Sequence, residues 1–193
     1  VSPEGGAEQK IKPATARVFF ALWPSPPLAS ALADVALAAA KRYGGRTSRP
    51  DTIHLTLAFL GEVPEAALPT LCALAAELKA PPFELVIDRL GFWPHNHLLW
   101  AGCSTTPAPL QDMVLTLQKS LIAAGFTPDR VDRPFTPHLT LLRKVPVISQ
   151  PGSDEPLPET HPFPWHCSRW VLVRSHSNAL GASYQAIVEF LLA

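Results

Sequence analysis

One tetrapeptide occurs twice in the chain, as His54-Leu55-Thr56-Leu57 and as His138-Leu139-Thr140-Leu141. In an extended segment, residues two apart point the same way. Each copy therefore sets an imidazole beside a hydroxyl on one face and two leucines on the other, where they suit a core. Two such segments facing each other across a cleft surround a small volume with two imidazoles and two hydroxyls. That set suits in-line displacement at phosphorus. Two histidines titrating near neutrality serve as base and acid, one neutral and one protonated. Threonine hydroxyls donate hydrogen bonds to the non-bridging oxygens, where transition-state charge must be held. The competing reading is two core histidines satisfied by backbone groups, next to threonines chosen for β propensity. The repeated threonine partner favours the chemical reading.

The remaining chemistry-bearing residues form weaker patterns. His95 and His97 flank a turn, and His161 and His166 are expected to sit in a proline-rich loop, but neither pair has a cysteine or carboxylate at metal-ligand spacing. No metal and no cofactor is expected. Phe59 can stack on a base, although a core phenylalanine is the commoner fate. Trp93, Trp100, Trp165 and Trp170 read as core or cleft-wall residues, and Cys72 as helix packing.

The elements that must position the repeat follow from periodicity and turn chemistry. Arg17 to Trp23 reads as a buried strand, Leu28 to Tyr43 as a helix capped by Ser25 and closed by Gly44-Gly45, and Ile53 to Phe59 as a strand. A second helix is expected from Pro64 to about Lys79. Phe83 to Leu90 and His97 to Gly102 are expected to form a hairpin, followed by a third helix from Pro107 to Ala124. His138 to Leu142 is a strand, Pro146 to Pro164 a loop, and Arg169 to Ser175 with Ser183 to Phe190 a closing pair of strands. A strand–helix–strand unit carrying His-Leu-Thr-Leu thus occurs twice, which suggests two related lobes.

Composition bounds the rest. In 193 residues, 47% are hydrophobic and 17% charged, enough to bury a sizeable core in one domain or two small lobes. The formal net charge is zero, which argues against a long nonspecific duplex-binding surface but leaves room for a locally basic cleft. Three widely spaced cysteines without a C-x-x-C pair suit reduced thiols and a cytoplasmic location. No uninterrupted apolar run is long enough to span a membrane. Residues 1–16 are polar and rich in Gly and Pro. They are expected to be a disordered or artificially trimmed tail outside a domain covering 17–193.

The paired His-x-Thr-x segments resemble those of the two-histidine phosphoesterase superfamily, and within it the RNA 2′,3′-cyclic phosphodiesterases, historically called 2′-5′ RNA ligases. The likeness extends to Phe19-Phe20-Ala21-Leu22, to the run from His54 to Val63, to Leu90-Gly91-Phe92-Trp93-Pro94, to Leu99-Trp100-Ala101-Gly102, and to Arg133-Pro134-Phe135-Thr136-Pro137-His138. It covers roughly Arg17 to Phe190. It implies an α+β fold of two pseudo-symmetric lobes, each an antiparallel sheet facing a central cleft with helices packed outside. It also implies hydrolysis of RNA 2′,3′-cyclic ends to 2′-phosphates, with His54 as proton donor, His138 as proton acceptor, and Thr56 and Thr140 holding the phosphate. Arg143 matches a basic position after the second motif, yet its odd offset from His138 puts it on the opposite face unless the strand bends. RNA ends or nucleoside cyclic phosphates are the implied partners, to a chain expected to be a monomer without an obligate protein partner. Ala58 and the long Pro146–Pro164 segment depart from the family pattern and bear on substrate preference. A related enzyme acting on another nucleotide, such as ADP-ribose cyclic phosphate or 2′-5′ oligoadenylate, and a non-catalytic RNA-end binder are the alternatives.

Overall fold

A computed structural model describes residues 14–129, 131–146, 161–178 and 181–193. The strands are β1 (Thr15–Leu22), β2 (Arg46–Thr47), β3 (Leu55–Pro64), β4 (Phe83–Ile87), β5 (Arg89–Trp93), β6 (Leu98–Gly102), β7 (His138–Arg143), β8 (Phe163–Cys167), β9 (Arg169–Asn178) and β10 (Gly181–Leu191). The helices are α1 (Pro26–Tyr43), α2 (Leu68–Glu77) and α3 (Ala108–Ala123). Seven strands run side by side in the order β10-β9-β1-β3-β7-β6-β5, with β2 added against β7, and β4 pairs separately with β8. Every pairing is antiparallel.

The two motif-bearing units appear as β1–α1–β3 and β6–α3–β7, and each outer strand pairs with its own motif strand. The units meet where β3 touches β7, through the residue pair Leu55–Leu139. Both leucines are fully buried. At the seam both copies of the repeat turn their leucine face into the core, so the imidazole face of both lies on the opposite side of the sheet.

Helix α1 buries Ala29, Leu32, Ala33, Ala36 and Ala39, a three- and four-residue spacing that lays one stripe on the sheet. Ser25 occupies its N-cap, but its hydroxyl makes no capping bond. Pro26 and Pro27 supply the first turn, so N–H groups that a cap would satisfy are absent there. The helix stops at Gly44, whose φ of 71° is cheap only for glycine. In α3 the buried stripe is Leu110, Met113, Val114, Leu117 and Leu121. Full burial of side chains of this kind contributes about 1.5–3 kcal/mol each.

Several boundaries differ from those expected. Thr15 and Ala16 belong to β1, paired with Pro64 and Val63, and Ala16 is buried. Pro64 ends β3 and opens no α-helix, so α2 starts later, at Leu68. The expected strand from Phe83 to Leu90 is two strands with different partners. The Asp88 carboxylate accepts hydrogen bonds from the Ser104 backbone N–H and hydroxyl. The chain breaks there, β4 going to β8 and β5 forming the hairpin with β6. Phe163 and Pro164 are strand residues paired with Ile87 and Val86, and residues 147–160 of the expected loop lie outside the described residues. Among the described residues no helix is long and apolar enough to cross a membrane.

Candidate active site

His54, Thr56, His138, Thr140 and Arg143 all line one cleft of about 800 Å³. Its floor is the β3–β7 seam. Continuing the Leu55–Leu139 register by one residue on either side sets His54 across from Thr140 and Thr56 across from His138. Directly opposed residues in an antiparallel pair lie about 4.5–5.5 Å apart at Cα. Each imidazole thus has one hydroxyl beside it on its own strand and another across the seam, and the constellation has a local two-fold symmetry.

The symmetry extends to the rings. His54 Nδ1 lies 2.8 Å from the Thr52 carbonyl oxygen, and His138 Nδ1 lies 2.9 Å from that of Thr136. A carbonyl oxygen only accepts, so both Nδ1 atoms carry the proton and donate it. Nε2 of each ring is then the atom that gains or loses a proton. In both copies the anchor is the residue two positions before the histidine.

The surroundings of the two rings differ. Trp23 stacks on His54 at 5.0 Å with 14° between planes, Phe19 lies at 4.8 Å, and Tyr184 meets the ring edge-on at 5.0 Å. This apolar wall desolvates the imidazole. Burial pushes the His54 pKa down to about 4, with the bond to Thr52 opposing and the positive charge of Arg143 and His138 adding to the shift. His138 meets two rings edge-on, Trp93 at 4.5 Å and Trp100 at 6.4 Å.

Arg143 reaches the cleft because β7 bulges. Thr140 pairs with Trp100 and Leu142 with Leu99, leaving Leu141 as an extra residue. Leu141 and Leu142 are both buried, so alternation is broken and the residue five past the histidine returns to the imidazole face. The same device occurs in β3. Thr56 pairs with Ala21 and Ala58 with Phe20, leaving Leu57 extra, and Leu57 and Ala58 are both buried. Phe59 is thereby brought to the cleft as the counterpart of Arg143, with the Arg17 guanidinium 4.8 Å above its ring.

The other singled-out residues divide. His95 lines the cleft, whereas His97 turns away from it and donates Nδ1–H to the Val145 carbonyl at 3.0 Å. His166 pairs with Glu84 at 2.6 Å on an exposed surface. Trp93 and Trp100 flank His138, and Trp165 and Trp170 are buried. Cys72, Cys103 and Cys167 are free thiols, and burial raises Cys167 to about 12. Among the described residues no group of three or more His, Cys, Asp or Glu side chains could hold a metal ion. Sequence reasoning missed Arg17, Arg46, Arg49 and Arg133 in the cleft wall, and the Phe19–Trp23–Tyr184 packing on His54. Strand β2 is two residues long, too short to carry a periodic signal.

Residues 22–100 match the family model described as LigT like Phosphoesterase. An RNA 2′,3′-cyclic phosphodiesterase of Escherichia coli (strain K12) is 37% identical over 111 residues, 56% of this chain and 62% of that protein's length. An enzyme with the same name from Thermus thermophilus is 30% identical over 188 residues, 91% of this chain and 90% of its own. The crystal structure of E. coli LigT complexed with 3′-AMP superposes with a TM-score of 0.78 at 25% identity, covering 93% of this chain and 99% of that one. With a relative matched along nearly the whole of both chains and the same fold in a solved structure, the chain belongs to the LigT-like phosphoesterase family.

Proposed function

We propose that the chain hydrolyses RNA 2′,3′-cyclic phosphodiester ends to 2′-phosphomonoesters, by acid–base catalysis between His54 and His138 without a metal ion. The observation that carries this reading is the matched pair of imidazoles. Both are anchored through Nδ1–H to a backbone carbonyl, and both flank one seam with a threonine opposite each. The names of the relatives and the 3′-AMP complex of E. coli LigT support the substrate class.

In this mechanism His138 Nε2 takes a proton from water as the water oxygen bonds to phosphorus. The P–O3′ bond breaks on the opposite side, and the proton on His54 Nε2 passes to the departing O3′. The product is a 2′-phosphate with a free 3′ hydroxyl, and the two rings return to their starting states by proton exchange with solvent. Thr56 and Thr140 donate to the non-bridging oxygens, and Arg143 neutralises their charge. A donor role for His54 requires that it be charged, against the burial that holds its pKa near 4 in the protein alone. The phosphate anion itself supplies the compensating charge: an opposite charge within hydrogen-bonding distance favours the imidazolium. Substrate binding and charging of the acid are thus one event.

The test is turnover of a nucleoside 2′,3′-cyclic phosphate by purified protein in EDTA, with the product isomer resolved by phosphorus NMR. The expected result is undiminished hydrolysis yielding the 2′-phosphate alone. Loss of turnover on chelation, or a 3′-phosphate product, contradicts the mechanism.

A further inference from the structure

Among the described residues, two that are not glycine take a positive φ, His97 at 54° and Lys144 at 55°. Such a backbone is costly for a residue with a Cβ and persists only where its surroundings over-determine it. Lys144 leads directly into Val145, and Val145 and His97 bond each other twice. The Val145 N–H donates to the His97 carbonyl at 3.1 Å, and His97 Nδ1–H donates to the Val145 carbonyl at 3.0 Å. The His97 backbone N–H is turned back to the Pro94 carbonyl at 3.4 Å, inside the tight turn after β5. The imidazole thus stands in for a backbone donor, and the reciprocal pair has the form of one more rung between β6 and β7.

That rung lies just beyond the β7 bulge. An uninterrupted ladder from the Trp100–Thr140 pair would set His97 opposite Arg143. His97 instead bonds Val145, two residues further on. Leu141, the bulge residue, takes up one of the two, and Lys144, in its left-handed turn, takes up the other. From the other side the segment is packed by the end of α1. A Cβ on Gly45 would lie 2.9 Å from Val145 Cγ2 and 3.0 Å from the Arg143 carbonyl oxygen. Val145 is fully buried. Arg143 therefore leaves the sheet between two fixed points, the bulge before it and the His97 rung after it. A one-residue slip that removed the bulge would break both bonds of the rung and turn Arg143 to the other face.

We infer that His97 is a positioning residue for Arg143: its rung to Val145 holds the bulge in register and so keeps the guanidinium on the imidazole face. The inference deepens the proposed reading, in which Arg143 neutralises the charge of the phosphate. His97 does not itself line the cleft. Asparagine also tolerates the left-handed backbone, and it carries an N–H at the same distance from its Cα.

The experiment is calorimetric binding of adenosine 2′-phosphate to the full chain and to its His97→Gly, His97→Asn, Arg143→Gln and His97→Gly/Arg143→Gln variants, with backbone amide NMR of Leu141, Leu142 and Arg143 beside it. The glycine variant relieves the backbone and removes the imidazole, whereas the asparagine variant keeps the backbone and an N–H. Arg143→Gln is expected to weaken binding by about ten-fold, the worth of one charge-assisted contact. His97→Gly is expected to cause most of that loss alone and to add less than about two-fold in the Arg143→Gln chain, because it acts through the same group. A merely structural role would add in full. The three amides are expected to shift in His97→Gly and to return in His97→Asn, which also recovers most of the affinity. Amides that stay in place in His97→Gly, a loss that adds in full to that of Arg143→Gln, or normal binding by His97→Gly beside a weakened Arg143→Gln overturns the inference and leaves the proposed reading intact. His97→Asn keeps the test decisive where the glycine variant does not fold: a loss in it equal to that of Arg143→Gln also overturns the inference. If the amides move as expected and Arg143→Gln costs no affinity, His97 does position Arg143, and the phosphate role given to Arg143 is what fails.

Discussion

At the scale of single residues, the two histidines are equivalent in anchoring and unequal in environment. Each gives its Nδ1 proton to a carbonyl two residues back, but His54 lies among Trp23, Phe19 and Tyr184 while His138 meets Trp93 and Trp100 edge-on. Replacement of either by alanine is expected to remove one proton-transfer partner and lower kcat/KM by at least about a hundred- to ten-thousand-fold. Thr56→Ala and Thr140→Ala should each lower it by roughly ten- to a thousand-fold, as loss of a transition-state donor does. Steady-state kinetics on a nucleoside cyclic phosphate decides both. A near-normal rate in either histidine variant contradicts the assignment.

The desolvated His54 also has a consequence for stability. Its folded pKa, about 4, lies below the unfolded value near 6.5. The unfolded chain therefore binds the proton first as pH falls. The fold is not penalised by this residue above about pH 6.5 and is destabilised progressively as pH drops toward 4, by up to roughly 3 kcal/mol. Urea denaturation at pH 7.5 and pH 4.5 should show a smaller loss of stability in His54→Asn than in the wild type. An equal loss in both proteins removes the desolvated imidazole as the cause.

Strand geometry converts those residues into a site. Period-two alternation was enough to read from the sequence that His54 and Thr56 share a face, as do His138 and Thr140, because neither bulge interrupts the strand before the fourth motif position. The same alternation puts Arg143 on the opposite face unless the strand bends, and Phe59 reads as a core candidate because a core phenylalanine is the commoner fate. An inserted residue changes side-chain direction without changing residue type, so Leu57 and Leu141 look like ordinary strand leucines. The cross-seam partnering of each histidine with the other copy's threonine was equally hidden, since register between distant strands is set by packing and not by local pattern. A related test lies on β5. A Cβ at Gly91 would run into the Trp100 ring, which packs against Trp93 and near His138. Gly91→Ala should force Trp100 to move, cost about 1–3 kcal/mol by overpacking, and lower activity through the displaced wall of the His138 half-site. An unshifted thermal midpoint together with full activity would show that Trp100 yields freely.

For the whole molecule, the internal echo of strand–helix–strand units was legible as a repeated motif, and it corresponds to two antiparallel units joined at Leu55–Leu139. The segregation of β4 with β8 was not legible, because only Asp88 separates β4 from β5 and their partner strands are chosen by packing between distant segments. Neither was the basic end of the cleft. Zero net charge describes the chain as a sum, and Arg46, Arg49 and Arg143 come together only when β2 is laid against β7. The paired units set two copies of the motif, with different walls, around one cleft. Burial among aromatic rings lowers the basicity of one imidazole, Trp93 and Trp100 wall the other, and matched bulges bring Arg143 and Phe59 to the cleft.

That both imidazoles act on a single phosphorus is tested most directly by nitrogen NMR of the histidine side chains during titration with adenosine 2′-phosphate. The proposed mechanism predicts that the Nε2 resonances of His54 and His138 move together along one saturation curve, His54 toward the protonated form, while the Nδ1 atoms bonded to Thr52 and Thr136 keep their protons. A ligand that shifts only one of the two rings, or shifts them with different saturation constants, means that the two half-sites do not share a phosphate.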